Sequence, residues 1–131
     1  MGIFNKIFGS SDASEAPEPS KIQWKPLTDL SQLDTIVEES KAKPVAIFKH
    51  STRCGISRMV IKQFESQYDL EENQMTMYYL DLLNYRPISQ EIAARFQVWH
   101  ESPQLILVKN GITVGHASHS QINAIPLAQF V

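Results

Sequence analysis

The sequence predicts an α/β fold in which a central mixed β-sheet carries a C-terminal β-hairpin and is covered by helices on both faces. The first observation is an alternation of strand-length apolar segments with segments of helical apolar spacing, in the order β-α-β-α-β-α-β-β-α. The second is Asn110-Gly111 between the last two strand-like segments, a pair typical of a tight antiparallel turn. With 131 residues, the chain can bury one ordinary core and is expected to be one domain.

The domain is expected to span residues 21–131, after a flexible N-terminal tail and linker over residues 1–20. Residues 9–20 are mainly Ser, Glu, Ala and Pro and have almost nothing to bury. Four apolar residues near the start leave contact with a membrane or a partner open, although a frayed tail is favoured for so short a segment: Ile3, Phe4, Ile7 and Phe8.

The first half of the domain is expected to hold two strands and two helices. Residues 22–24 are a candidate first strand, and Thr28 or Asp29 is the candidate N-cap of the helix that follows. That helix has its apolar residues on one face: Leu30, Leu33, Ile36 and Val37. Residues 45–48 form a continuous apolar run, typical of a strand covered on both faces. The second helix extends to about residue 70, with an apolar face of Val60, Ile61, Phe64 and Tyr68.

The second half is expected to hold a buried strand over residues 75–82, a helix, a hairpin and a last short helix. Pro87 lies in the first turn of the third helix, whose inner face is Ile88, Ile92 and Phe96. The hairpin strands are residues 105–108 and 112–114. The last helix is weakened by Pro126.

Cys54 is the single cysteine and lies between the second predicted strand and the second predicted helix. Backbone N–H groups at a helix start stabilise a thiolate relative to a thiol, which favours a nucleophilic role here. Ser57 occupies the second position of a Cys-x-x-Cys motif, so monothiol exchange is favoured over an internal disulfide. A lone cysteine without a signal peptide or a long apolar run is typical of a reducing compartment, and a cytoplasmic location is expected.

Several neighbours are expected to assist the cysteine. Lys49, Arg53 and Arg58 supply positive charge, which favours the thiolate. Gly55 leaves room for a second chain to approach. Ser57 suits a first helical turn, and its hydroxyl can also donate to the thiolate; both interpretations stay open.

Two other kinds of site are not favoured. The formal net charge is −2 and no block of basic residues is present, so nucleic acid is not an expected partner. The four histidines are scattered and have no second thiol beside them, so no metal site is expected.

The placement of Ser102-Pro103 before the hairpin, with a thiol after the second strand, resembles the thioredoxin fold over residues 21–131. That resemblance implies a cis Ser102–Pro103 peptide, a proline facing the sulfur, and a Ser102 backbone that pairs with the incoming peptide. Within that superfamily, five segments in the same order resemble the monothiol bacilliredoxins, the YtxJ-like family: Phe48-Lys49-His50-Ser51, Cys54-Gly55-Ile56-Ser57, Tyr79-Leu80-Asp81, His100-Glu101-Ser102-Pro103-Gln104 and Ala117-Ser118-His119.

The resemblance to this family also implies an activity. Cys54 attacks the disulfide of an S-bacillithiolated client protein and takes the bacillithiol, and free bacillithiol or another redoxin then regenerates the thiol. The resemblance further implies that bacillithiol is the co-substrate and that no cofactor is bound, and the expected catalytic residues are Cys54, Ser57 and Pro103. If Ser118 or Ser120 caps the last helix, the N–H groups there would receive the malate of bacillithiol. The expected substrate-binding residues are Lys49, Arg53, Gly55, Ile56, Ser102, Ser118 and His119.

The turn differs from the common family turn, Thr-Cys-Pro-Ile-Ser, because Arg53 precedes the cysteine and Gly55 follows it. It is thereby similar to the Cys-Gly-Phe-Ser turn of monothiol glutaredoxins, some of which hold a two-iron, two-sulfur cluster with glutathione. Two alternative functions therefore stay open: a cluster carrier of that kind and a non-catalytic thioredoxin-fold stress protein.

Overall fold

A computed structural model describes residues 22–131 as a five-stranded mixed sheet with helices on both faces, which confirms the predicted fold class. The strands are β1 (Lys25–Pro26), β2 (Val45–His50), β3 (Thr76–Asp81), β4 (Gln104–Lys109) and β5 (Ile112–Ser118). The α-helices are α1 (Gln32–Glu39), α2 (Gly55–Gln67) and α3 (Arg86–Phe96), and two 3₁₀-helices follow, His119–Ala124 and Leu127–Phe130. No helix within the described residues is long and apolar enough to cross a membrane.

The strand order across the sheet is β1-β3-β2-β4-β5. β3 pairs in parallel with β1 and with β2, whereas β4 is antiparallel to both β2 and β5. The carboxyl end of β2 therefore lies beside the start of β4 and near the end of β5. Segments that follow or precede these three strand ends meet at one edge of the sheet.

The alternation of side chains along β2 assigns its residues to two separate cores. Val45 and Ile47 pack with α1 and α3, whereas Ala46 and Phe48 pack with α2 and the first 3₁₀-helix. Every residue of β2 is buried, as its apolar run predicts. The same alternation sends the last two side chains of the strand, Lys49 and His50, to opposite faces.

The start of the described chain differs from the prediction for it. Strand β1 pairs Lys25 with Tyr78 and Pro26 with Tyr79, so the predicted strand at residues 22–24 is wrong. Trp24, just before β1, packs its ring on Phe48 and Tyr79. The Trp24 indole N–H also donates to Glu65 at 2.7 Å.

Helix α1 begins at Gln32, with Ser31 as N-cap, so the predicted start at Thr28 or Asp29 is wrong. The side-chain oxygen of Gln32 accepts the backbone N–H groups of Thr28 and Asp29 at 2.7 and 2.9 Å. These bonds hold both residues in the loop before the helix. Leu30 is consequently exposed and lies outside the buried face of α1.

The hairpin between β4 and β5 confirms the prediction made from Asn110-Gly111. Both residues have positive φ, 54° and 78°, as a type I′ turn requires. The final segment is not an α-helix but two 3₁₀-helices on either side of Pro126, and the first of them buries Ile122 in the α2-side core. The predicted tail over residues 1–20, with its apolar face, lies outside the described residues.

Candidate active site

Cys54 is the N-cap residue of α2 and has extended backbone angles, φ −98° and ψ 122°. Its backbone N–H donates to the Ser51 carbonyl at 3.1 Å, and its carbonyl accepts the Arg58 N–H at 3.0 Å. The thiol is free and partly exposed, and the side chain makes no capping hydrogen bond. The backbone of this turn is therefore fixed while the sulfur stays available for chemistry.

The structure brings the cysteine turn and the proline loop to the same edge of the sheet. Lys49 at the end of β2 pairs with Gln104 at the start of β4, and Gln104 pairs with Ser118 at the end of β5. The Ser102–Pro103 peptide directly before Gln104 is cis, as predicted.

The exposed surroundings of Cys54 are basic and apolar. Arg53 is exposed, and the Arg58 guanidinium donates to the Thr52 carbonyl at 3.1 Å across the turn. Ile56 and Met59 are 61% and 73% exposed on the first turns of α2. The surface next to the sulfur therefore combines guanidinium groups with exposed apolar side chains.

Gly55 leaves the approach to the sulfur open. A Cβ added at this position would find Arg58 Nη2 as its nearest neighbour, at 4.0 Å. The Gly side of the turn therefore has open space next to the backbone.

Ser57 lies fully buried beneath the turn. Its hydroxyl oxygen accepts the backbone N–H of Ser51 at 3.1 Å and lies 2.8 Å from Nδ1 of His50. Ser57 thus ties the first turn of α2 to the end of β2. Whether its proton also reaches the sulfur depends on how His50 is protonated.

The sequence matches the family described as monothiol bacilliredoxin BrxC over residues 25–127, a range that contains the cysteine turn and the cis-proline loop. This chain belongs to the monothiol bacilliredoxin family. The family and the fold together make it a monothiol redox protein.

Solved structures similar to this bacilliredoxin have the thioredoxin fold. One described as an oxidoreductase with a thioredoxin fold is 37% identical, covers 81% of this chain and 91% of its own, and has a TM-score of 0.68. Thioredoxin from Malassezia sympodialis is 18% identical, covers 89% and 98%, and also has a TM-score of 0.68. Fasciola hepatica thioredoxin is 17% identical, covers 82% and 99%, and has a TM-score of 0.62. The latter two show the fold alone.

Lys49 does not lie where the sequence placed it. It is 0% exposed on the α1 and α3 side of the sheet, and its ammonium donates to the Ser89 carbonyl at 3.2 Å and lies 3.3 Å from His100 Nδ1. Burial lowers the pKa of Lys49 to about 8. The expectation that Lys49 binds the malate of bacillithiol is therefore wrong, because its ammonium is buried and is not accessible to a ligand at the surface.

The corner at Ser118 and His119 also differs from the expectation. Ser118 precedes a 3₁₀-helix of six residues and makes no side-chain capping bond, and Ser120 lies inside that helix. The N–H of His119 donates to the Pro103 carbonyl at 3.0 Å. The predicted anion site at an α-helix start is therefore wrong, whereas the backbones of Ser118 and His119 lie beside the proline loop.

The loop from Gln97 to Pro103 is held from beneath by polar contacts. The Gln104 side-chain amide donates to the Trp99 carbonyl at 2.8 Å. Nδ1 of His100 lies 3.3 Å from the Lys49 ammonium and 3.2 Å from the Ser89 hydroxyl. These contacts fix the loop that carries the cis-proline.

His50 is the residue of this site that sequence reasoning missed, because this histidine was considered only as a candidate metal ligand. Its ring is nearly buried and contacts the Tyr79 ring at a centroid distance of 5.6 Å. Burial lowers its pKa, and the carboxylates of Asp81 and Glu65 oppose that effect. Strand alternation indicates that His50 shares a face of the sheet with Phe48, but it does not indicate which helix covers that face. Within residues 22–131, no three His, Cys, Asp or Glu side chains come together as a metal site would need.

Proposed function

We propose that this bacilliredoxin is a thiol-disulfide oxidoreductase that removes bacillithiol from S-bacillithiolated proteins through a mixed disulfide on Cys54. The observation that carries the proposal is a free, partly exposed thiol at the N-cap of α2 with a serine, not a second cysteine, three residues later. Membership of the monothiol bacilliredoxin family supports the choice of thiol.

The first step of the proposed reaction is an exchange between sulfurs. The Cys54 thiolate attacks the bacillithiol sulfur, the protein–bacillithiol disulfide breaks, and the client leaves as a thiolate that takes a proton from solvent. One disulfide forms for each that breaks, so the step needs no external oxidant or reductant. The product is Cys54 in a disulfide with bacillithiol.

The second step regenerates the enzyme from outside the chain. No second cysteine is present to displace the bacillithiol, so an external thiol, free bacillithiol or another redoxin, attacks the bacillithiol sulfur. Cys54 leaves as a thiolate, and the attacking thiol forms a disulfide with the departing bacillithiol. Bacillithiol is thus a co-substrate, and no bound cofactor takes part.

Recognition is assigned to the exposed groups around the turn. Arg53 supplies a positive charge for the malate carboxylates, in place of the buried Lys49. Ile56 offers an apolar contact to the client, Gly55 leaves room for it, and Ser102 offers its backbone. A reducing cytoplasm suits a reaction that must keep Cys54 as a thiol.

The experiment compares one client protein carrying either a bacillithiol or a glutathione adduct. We expect the bacillithiol adduct to be removed at least about tenfold faster, since one charge-assisted contact to the malate is worth about 1.5–3 kcal/mol. Cys54→Ser is the inactive control. Equal rates on both adducts would contradict the substrate assignment, and a brown protein that binds an iron-sulfur cluster and leaves both adducts intact would replace it with cluster carriage.

A further inference from the structure

The hydroxyl of Ser57 faces two partners and cannot donate to both. A serine hydroxyl has one proton and two acceptor positions. The Ser51 N–H fills one acceptor position at 3.1 Å. The contact with His50 Nδ1 at 2.8 Å takes either the other acceptor position or the proton.

The protonation of His50 Nδ1 decides between these arrangements. When Nδ1 carries a proton, it donates to Ser57, both acceptor positions are full, and the hydroxyl proton must point elsewhere. When Nδ1 carries no proton, it accepts a hydrogen bond from the Ser57 hydroxyl. The hydroxyl then has no proton left to donate to another acceptor.

Cys54 begins the helical turn that carries Ser57. Ser57 lies three residues after Cys54 on the first turn of α2, and residues three apart share a face of a helix. Ser57 is fully buried, so its hydroxyl cannot turn to solvent instead. A thiolate at Cys54 is the charged acceptor on that face, and a hydrogen bond to a charged group is stronger than one to a neutral group.

Burial and the charged groups around His50 shift its pKa in opposite directions. Asp81, the register partner of His50 on β3, and Glu65 on α2 favour the protonated ring, whereas burial and Arg58 oppose it. Tyr79 covers the ring as a neutral neighbour. Oδ1 of Asp81 is buried and has no hydrogen-bond partner among the described residues, while Oδ2 receives the Asn84 amide at 2.7 Å. Because Oδ1 of Asp81 makes no hydrogen bond to the ring, this carboxylate does not hold His50 in one tautomer.

We propose that His50 is a positioning residue that acts through Ser57: a thiolate at Cys54 draws the proton of the Ser57 hydroxyl and places a proton on His50 Nδ1, and a disulfide at Cys54 reverses both. The step exchanges protons only between the two imidazole nitrogens by way of solvent, and no sulfur bond changes in it. The role of this Ser57 hydrogen bond in catalysis rests on the proposed function. It would stabilise Cys54 as the attacking and as the departing thiolate, and it would be absent from the mixed disulfide.

The test records the ¹⁵N shifts of the histidine side chains in the free protein and in protein S-methylated at Cys54. Both are measured at a pH where the rate of Cys54 alkylation has reached its plateau, so that the free sulfur is a thiolate. We expect His50 to carry its proton on Nδ1 in the free protein and on Nε2 after methylation. The same form of His50 in both samples would overturn the proposal.

His100 is the matched control, because Lys49 and Ser89 contact its Nδ1 on the opposite face of the sheet. The nitrogen that carries the His100 proton should not change on methylation.

Ser57→Ala keeps the thiol and removes the hydroxyl, so methylation should no longer change which nitrogen of His50 carries the proton. A change that persists in this variant would contradict transmission through Ser57. If this variant does not fold, the wild-type comparison decides alone. Since no bacillithiol is used, failed de-bacillithiolation with an intact His50 response would remove only the proposed function.

Discussion

Replacing Lys49 with methionine should make the protein more stable at neutral pH. Lys49 is 0% exposed and has a carbonyl and an imidazole nitrogen as hydrogen-bond partners. Within residues 22–131, no carboxylate forms an ion pair with its ammonium. Burial of a charge without an opposite charge is costly, and methionine fills a similar volume without that charge.

The size of the effect follows from the pKa of Lys49, which burial lowers from 10.5 to about 8. Each pH unit of that difference corresponds to about 1.4 kcal/mol, so the buried charge costs about 3 kcal/mol below pH 8. The two lost hydrogen bonds offset about 1 kcal/mol each. We therefore expect Lys49→Met to gain about 1–2 kcal/mol in free energy of unfolding at pH 7.

The pH dependence has a defined sign. Between pH 8 and about 10.5 the unfolded chain holds a proton on Lys49 that the folded protein has lost, so the stability of the wild type rises with pH in that window. From about pH 7 to pH 9.5 the rise from this group is roughly 2 kcal/mol. Lys49→Met should lack it.

The assay is chemical denaturation of both proteins at the two pH values, with Lys62→Met as control. Lys62 is exposed on α2, so its replacement should change neither the stability nor its pH dependence by more than about 0.5 kcal/mol. A Lys49→Met variant that is less stable at pH 7, with the same pH dependence as the wild type, would refute the account of the buried ammonium.

Three further changes test the site. Ser57→Cys should form an internal disulfide with Cys54, because the two positions lie on one helical turn; two free thiols after oxidation would contradict this placement. Arg53→Ala should lower kcat/KM for the bacillithiol adduct by roughly five- to hundredfold, and added salt should weaken the wild type similarly, while Lys62→Ala does neither; an unchanged kcat/KM would exclude Arg53 from recognition. Gly55→Ala should raise the free energy of unfolding by about 0.5 kcal/mol, since the added Cβ meets open space; a clear loss in denaturation would show that the turn needs glycine.

Local patterns in the sequence predicted most of the fold. The apolar run of β2 and the Asn110-Gly111 turn carry their signal within a few residues, and both predictions are confirmed. Strand β1 is only two residues long and is defined by its pairing with Tyr78, about fifty residues away, so no local pattern could locate it. The last helix became two 3₁₀-helices because Pro126 interrupts it and Ile122 is drawn into the core.

The sequence predicted the parts of the candidate site that a short motif defines, but not the contacts between separate elements. Cys54 at a helix start and the cis peptide before Pro103 followed from the motif and from the family resemblance. Lys49 was placed near the thiol because it is near in sequence, although strand alternation separates it from His50. Sequence alone does not say which side of the sheet α2 covers, and so it could not indicate that His50 contacts Ser57.

The central claim is that Cys54 accepts bacillithiol from a client protein. Mixing the reduced protein with one equivalent of an S-bacillithiolated client, quenching with acid and measuring intact masses tests it directly. The account predicts that the protein gains the mass of one bacillithiol, mapped to Cys54 by peptide analysis, while the client loses it, and that Cys54→Ser gains nothing. A client that keeps its adduct, or one that loses it while Cys54 stays unmodified and Cys54→Ser works equally well, would contradict the account.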